Sequence, residues 1–276
     1  MPLLEFLNIF RPSKTIRYSE AQGITPDARG IPMAFLSSDV DCVACGACAK
    51  VCSTQAIQIQ GTQTLDIDYG RCTQCGLCVD ACSDGLMKNS HFVDVFATTR
   101  EEFKVKFRAG QAPETQPGKM REDVEAFRRL TKKNGFNYRE VAASGNNTVE
   151  CELNASANYA FDSESIGVRS VASPKHADAV VFSGPVGPGM AGPLQTAWAC
   201  MPSPKALIAC GTEAISGGLY ERGPLPAEPL LYVAGDPPRP DVIQRAFLLL
   251  MGRFSMAFSE KFVRVYNSQK DLRNKT

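Results

Sequence analysis

Eight of the 11 cysteines stand at spacings that suit iron–sulfur chemistry. Cys42, Cys45, Cys48 and Cys52 form CxxCxxCxxxC, and Cys72, Cys75, Cys78 and Cys82 repeat it. A cubane cluster needs four thiolates converging from different directions, and three cysteines at three-residue steps wrap a tight turn around one face. In paired runs the fourth ligand comes from the other run. The expected sets are Cys42, Cys45, Cys48 and Cys82 for one [4Fe–4S] cluster, and Cys72, Cys75, Cys78 and Cys52 for a second. Gly46 and Gly76 follow the second cysteine of each run, where the missing Cβ lets backbone N–H groups approach the sulfurs. Zinc sites show CxxC pairs rather than runs of four, and a disulfide framework needs a small secreted chain. Such runs usually end Cys-Pro. Here Ser53 and Ser83 follow the fourth cysteines, which loosens the turn and removes no ligand.

The rest of the chain must position those cysteines. Its 276 residues leave room for two domains. Hydrophobic residues make up 44%, charged residues 21%, and the net charge is +1, so no charge excess points to nucleic acid. No apolar run approaches the roughly 20 residues of a membrane span. The start shows no basic segment followed by a cleavage site, so no signal peptide is expected. Clusters and free thiols suit the cytoplasm. Leu3, Leu4, Phe6, Leu7, Ile9 and Phe10, flanked by Arg11, Lys14 and Arg17, form an apolar stripe with a basic edge. Such a helix either lies on an anionic membrane surface or packs on a protein partner.

Five segments follow from texture. Residues 1–35 read as this amphipathic helix and an arm holding Pro26, Gly30 and Pro32. Residues 36–98 read as the cluster domain, with strand-like stretches at Ala56–Ile59, Leu65–Tyr69 and Leu86–Asn89. Residues 99–136, charged and carrying Gln-Ala-Pro-Glu-Thr-Gln-Pro-Gly at 111–118, read as a linker with helical character over Arg121–Lys133. Residues 137–255 alternate β-type runs (Ala179–Phe182, Lys205–Ala209, Leu230–Ala234) with glycine- and proline-rich loops and helical stretches near Gly189–Met201 and Val242–Leu250. That alternation predicts a parallel sheet with helices on its faces and sites at the carboxyl ends of its strands. Residues 256–276 read as a polar tail.

The first half resembles the two-cluster ferredoxin-like subunit of respiratory complex I and of group 4 membrane-bound [NiFe] hydrogenases. The residues carrying the resemblance are Arg11-Pro12, Arg17-Tyr18, Ala28-Arg29-Gly30, both cysteine runs, His91-Phe92 and Arg100-Glu101-Glu102-Phe103. The second half resembles the small subunit bearing the terminal [4Fe–4S] cluster of those complexes. Its markers are Ser173-Pro174-Lys175-His176-Ala177-Asp178, Ser183-Gly184-Pro185-Val186, Met201-Pro202-Ser203-Pro204-Lys205, Ile215-Ser216-Gly217-Gly218 and Pro237-Pro238-Arg239-Pro240. The chain is similar to a fusion of two subunits that are neighbours in those machines. This implies an α+β ferredoxin-like two-cluster domain followed by an α/β flavodoxin-like parallel-sheet domain.

The same resemblance implies that the terminal cluster is lost. Where the family has its four cysteines, this chain has Asn146, Val149, Glu213 and Asp236, and Cys151 is out of register by one or two residues. Asn146, Glu213 and Asp236 are oxygen donors, which suit hard cations; carboxylates closed onto loop N–H groups, or paired with Arg239, are the expected alternative. Cys151, Cys200 and Cys210 read as small buried hydrophobes, Trp198 as core, His91 as a surface residue, and His176 as part of a helix start after Ser173-Pro174.

Two functions are implied. One is an iron–sulfur electron-transfer subunit, not catalytic alone, peripheral on the inner face of the cell membrane. Its partners would be a large catalytic-type subunit, ion-translocating membrane subunits and a redox donor protein, with no nucleic acid. The other is a scaffold joining a large subunit to a membrane arm, with the ferredoxin domain structural or sensory.

Overall fold

The structure is a computed structural model that describes residues 23–36, 45–60 and 64–273. The amphipathic stripe at 3–10 and Cys42 lie outside the described residues. The cysteine region is built on two small sheets. β1 (Pro32–Ala34) pairs antiparallel with β4 (Met87–Asn89), so the arm ahead of the first cysteine run is stitched to the end of the second. β2 (Ile57–Gln60) pairs with β3 (Thr64–Asp68), β3 with β6 (Lys104–Arg108), and β6 with β7 (Glu114–Thr115), all antiparallel. The stretch read as a linker thus supplies two strands to this sheet. In β6 the sequence Lys-Val-Lys-Phe-Arg alternates, burying Val105 and Phe107 and leaving the cations outside.

The larger sheet has the order β5-β12-β11-β10-β8-β9. Its strands are β5 (Phe96–Ala97), β8 (Phe136–Ala142), β9 (Val168–Ser170), β10 (Ala179–Ser183), β11 (Ala206–Cys210) and β12 (Leu231–Val233). β8 to β12 run parallel, and β5 closes one edge antiparallel to β12. Numbered within this region, the parallel strands stand 2-1-3-4-5, so the order reverses between β8 and β10. β10 and β11 are buried along their whole length, which is why they read as continuous apolar runs.

Helices cover both faces. On one side are α3 (Glu122–Asn134), α4 (Thr148–Ser156) and α7 (Pro240–Leu250), packed over Phe136, Val181, Ile208 and Val233. On the other lie α5 (Pro188–Cys200) and α6 (Thr212–Ser216), where Val180, Phe182, Leu207 and Ala209 share one core with the cysteine region.

The segment read as a polar tail is a helix, α8 (Phe258–Arg273). Phe258, Phe262 and Tyr266 recur every four residues and all are buried, so the polar residues occupy only the outer face. Phe258 meets Phe103 edge-on with centroids 5.4 Å apart, Phe262 meets Tyr69 at 5.3 Å, and Tyr266 stacks on Phe35 at 4.8 Å. Beneath them lies a buried ion network. Arg245 of α7 bonds Asp94 at 2.5 Å and Asp241 at 3.1 Å, and Lys261 of α8 reaches Asp94 at 2.8 Å. The aromatic contacts and these ion pairs lock the cysteine region, the sheet edge and the C-terminal helix together.

Candidate functional site

Each cysteine run bends into a single short helix, α1 (Ala47–Lys50) or α2 (Leu77–Asp80). Both helices begin on a left-handed glycine, Gly46 at φ 61° and Gly76 at φ 86°. A side chain is strained at such angles. The turn brings Cys48 and Cys78 inward, where both are buried, while Cys45 and Cys75 stay exposed.

The thiols gather in two places. Cys52, Cys72, Cys75 and Cys78 line one cavity, closed by Pro32, Ile57, Ile67 and Leu77. Cys45, Cys48 and Cys82 line another, with Met87 beside them. Each cavity takes cysteines from both runs. Among the described residues, no three His, Cys, Asp or Glu side chains are gathered tightly enough for a single metal ion. The sulfurs are also solvated by the backbone. Ala56 N–H donates to Cys52 Sγ at 3.2 Å, Gln74 N–H to Cys72 Sγ at 3.4 Å, and Met87 N–H to Cys82 Sγ at 3.4 Å.

Burial pushes the Cys72 and Cys78 thiols up to about 12, and neighbouring thiols push the same way. Burial also raises Cys48, with Cys82 and Cys45 adding to it. Such thiols are protonated at neutral pH, and a cationic iron centre that binds them must displace their protons. An apolar cradle, converging thiols and N–H groups aimed at sulfur together fit a cubane cluster. Two arginines that the cysteine spacing does not single out complete the loops. Arg29 donates to the Cys75 carbonyl, and Arg71 Nε donates to Thr54 O at 2.8 Å, joining the two runs. The Ala-Arg-Gly marker held the only sequence signal for Arg29.

A second constellation sits at the carboxyl end of the parallel sheet. Asn146 follows β8, Glu213 lies in the first turn after β11, and Asp236 follows β12. Asn146 Nδ2 donates to both Asp236 oxygens, at 3.0 and 3.2 Å, and Thr148 Oγ1 stands 3.0 Å from Asp236 Oδ1. The Asn146 backbone N–H donates to the Glu213 carboxylate. Burial raises the Glu213 carboxyl above its ordinary range, and the nearby Asp236 charge raises it further.

Val149 does not face this polar group. It is buried in the core, and a Cβ on Gly211 would stand 2.6 Å from its Cγ2. Arg239 does not pair with Asp236; its Nε bonds Asp241 at 3.0 Å, where the start of α7 holds it. Cys210 is fully buried, whereas Cys151 and Cys200 are exposed, because α4 and α5 turn those positions outward. Trp198 is only half-buried, with the Lys205 ammonium 4.5 Å over its ring. His91 is exposed, and Ser173 caps the short turn that carries His176.

Thr212 ties the two constellations. Its Oγ1 donates to the Cys72 carbonyl at 3.0 Å and accepts from Gly235 N–H at 3.2 Å, while its own N–H bonds Gly235 O at 2.8 Å. One fully buried hydroxyl therefore links a cysteine loop to the Glu213 and Asp236 loops. A threonine inside Gly-Thr-Glu carries no sequence signal for such a role.

The structure thus joins a ferredoxin-type cysteine unit and a parallel-sheet domain in one chain. Residues 41–86 match the family described as a 4Fe-4S dicluster domain, and residues 145–250 match the family NADH ubiquinone oxidoreductase, 20 Kd subunit. The chain is therefore a fusion resembling the two-cluster ferredoxin-like subunit and the small subunit of complex I and membrane-bound hydrogenases.

Among curated relatives, formate hydrogenlyase subunit 7 of Escherichia coli strain K12 is 34% identical over 44% of this chain and 50% of its own length. The probable membrane-bound hydrogenase subunit mbhJ of Pyrococcus furiosus is 29% identical over 40% of this chain and 70% of its own. An NADH-quinone oxidoreductase subunit of Citrifermentans bemidjiense is 31% identical over 38% of this chain and 65% of its own. The chain thus spans about half the length of the first of these relatives. A chain in the solved structure of the membrane-bound sulfane sulfur reductase, an archaeal respiratory membrane complex, aligns over 51% of this chain and 77% of its own. That alignment has 22% identity and a TM-score of 0.37, a weak likeness.

Proposed function

We propose that the chain is an electron-transfer subunit of a complex I-like or hydrogenase-related membrane complex, holding two [4Fe–4S] clusters and no third. The observation that carries this reading is the partition of the thiols into two cavities, each drawing on both cysteine runs. In this reading Cys52, Cys72, Cys75 and Cys78 hold one cluster, and Cys45, Cys48 and Cys82 hold the other together with Cys42. Each cluster supplies one-electron chemistry when bound. The protein contributes apolar walls that keep water from the sulfurs and N–H donors that stabilise them.

The absence of a third cluster rests on the chemistry of the sheet-end loops. Asn146, Glu213 and Asp236 stand where the resemblance implies thiolates, and Asn146 and Asp236 bond each other. The parallel strand order 2-1-3-4-5 supports a flavodoxin-like sheet, with this site flanking the point where the order reverses. The partners in this reading are a large subunit, ion-translocating membrane subunits and a redox donor. Attachment to the membrane would be peripheral: among the described residues, no helix is long and apolar enough to cross one.

Anaerobic iron and sulfide analysis tests the reading. About eight irons per chain are expected, all reducible in one-electron steps followed by EPR. About twelve irons would restore a third cluster, and eight irons that accept no electron from any low-potential donor would leave only a scaffold.

A further inference from the structure

The geometry points to a redox-linked proton site: we infer that Thr212 couples reduction at the Cys52, Cys72, Cys75 and Cys78 site to uptake of one proton by Glu213. This rests on the cluster reading above. Three features of the structure meet here. Thr212 donates to the Cys72 carbonyl and is the residue immediately before Glu213. The Glu213 carboxyl is folded back into the β8–α4 loop, where a Cβ on Gly145 would lie 3.1 Å from its Oε2. Glu150, on the first turn of α4, is only 7% exposed; Ser183 Oγ donates to its Oε1 at 2.5 Å, but its Oε2 has no hydrogen-bond partner. Its charge bears on Glu213, so an open buried acceptor stands beside the proposed proton site.

The surrounding charges favour a proton. The titratable groups that bear on Glu213 are Asp236, from the β12–α7 loop, and Glu150. Glu140 of β8 and the Cys210 thiol of β11 in turn feel Glu150. No cation is among the groups that bear on Glu213; Arg222 Nη1 is held on the Ile215 carbonyl at 2.7 Å and Arg239 on Asp241. Among the described residues Glu213 has no ion pair. Negative charge added on the far side of Thr212 therefore falls on a carboxylate already crowded by like charge, and a proton relieves it. Asn146 is exposed and Asp236 half-buried, so the site reaches solvent through them.

The balance is one for one. One electron enters from a low-potential one-electron reductant, and one proton from water forms an O–H bond on the Glu213 carboxylate. On reoxidation both leave, and no other bond forms or breaks.

The test uses the full chain loaded anaerobically with iron and sulfide, in EPR-monitored redox titrations across the acidic to neutral range. One of the two clusters should have a midpoint potential that falls as pH rises. Its slope should approach about 59 mV per tenfold change in proton activity over the window where Glu213 titrates. The other cluster should be flat. Glu213→Gln should abolish the slope, and Thr212→Val, which keeps the shape and removes the hydroxyl, should weaken it. Reduced-minus-oxidised infrared spectra should show a carboxylic acid C=O band that Glu213→Gln lacks. Two reducible clusters with flat potentials in the unmutated chain would overturn this inference alone, as would a slope that survives Glu213→Gln. A slope unaltered by Thr212→Val would overturn the route through Thr212. Clusters that cannot be reduced would overturn the electron-transfer reading with it.

Discussion

The cysteine loops and the sheet-end loops are built from the same materials and end in opposite states. Both are tight, glycine-started turns packed in apolar surroundings. The cysteine loops gather thiols whose contacts, among the described residues, are mainly with each other, a few N–H groups and the Thr54 hydroxyl; burial raises Cys48, Cys72 and Cys78, and the cavities invite a cationic guest. The sheet-end loops carry an amide and two carboxylates that satisfy one another, with Asn146 bridging Asp236 through its side chain and Glu213 through its backbone. The cysteine loops are thus incomplete by themselves, whereas the sheet-end loops have closed on their own side chains.

The sharpest way to break this comparison is to remove a thiol from each side. Cys78→Ser should cost one of the two clusters, so iron falls to about half, near four per chain. Cys210→Ala removes a fully buried thiol at the end of β11, beside the sheet-end loops, and should leave iron unchanged. Iron and sulfide assays on both variants decide it, and equal losses would erase the distinction.

The two regions are also joined mechanically, and that join should be the main stability term between them. Phe262 lies in the aromatic cluster formed with Tyr69, Phe107 and Phe258. Phe262→Ala should destabilise the chain by about 3–5 kcal/mol through the lost contacts and the cavity left behind, measured as a shifted denaturant midpoint. A loss under about 1 kcal/mol, the size of an ordinary surface change, would mean that α8 is not part of the fold's core.

Asp236→Ala addresses the closed site directly. It leaves Asn146 Nδ2 without its acceptor, while the Thr148 hydroxyl keeps Asn146 Oδ1 at 2.7 Å, and the cost is about 1 kcal/mol because water reaches the site. Iron content should not change. A drop in iron would show that this carboxylate serves a cluster after all.

How much of this was legible beforehand follows from range. The cysteine runs are local, so ligand spacing is visible in a dozen residues. β10, β11 and α7 are continuous or amphipathic apolar runs of the kind a parallel sheet requires. β6 was hidden because three of its five residues are cationic, although Val105 and Phe107 mark its buried face. α8 was hidden in the same way, its aromatic stripe diluted by Lys, Arg, Gln and Asp. The contact that matters most, Thr212 on the Cys72 carbonyl, joins positions 140 apart in sequence. A hydroxyl that bonds a backbone carbonyl leaves no trace in spacing, because any residue supplies the carbonyl.

The smallest effect expected is the pH dependence of that closed site. The Glu213 carboxyl is raised in the folded chain, so over the window above the ordinary carboxylate value the folded state binds more protons than the unfolded one. Stability from this group is then fully present below the unfolded value and is lost as pH rises through the raised one. Glu213→Gln removes that loss. The variant's melting temperature relative to the unmutated chain should therefore rise with pH through this window and level off above it. The carboxyl is partly solvated, so the effect should stay near the resolution of a careful thermal titration. A difference that falls with pH would mean that a cation holds Glu213 charged in the fold, and the contrast between a site awaiting its guest and a site closed on itself would lose its electrostatic half.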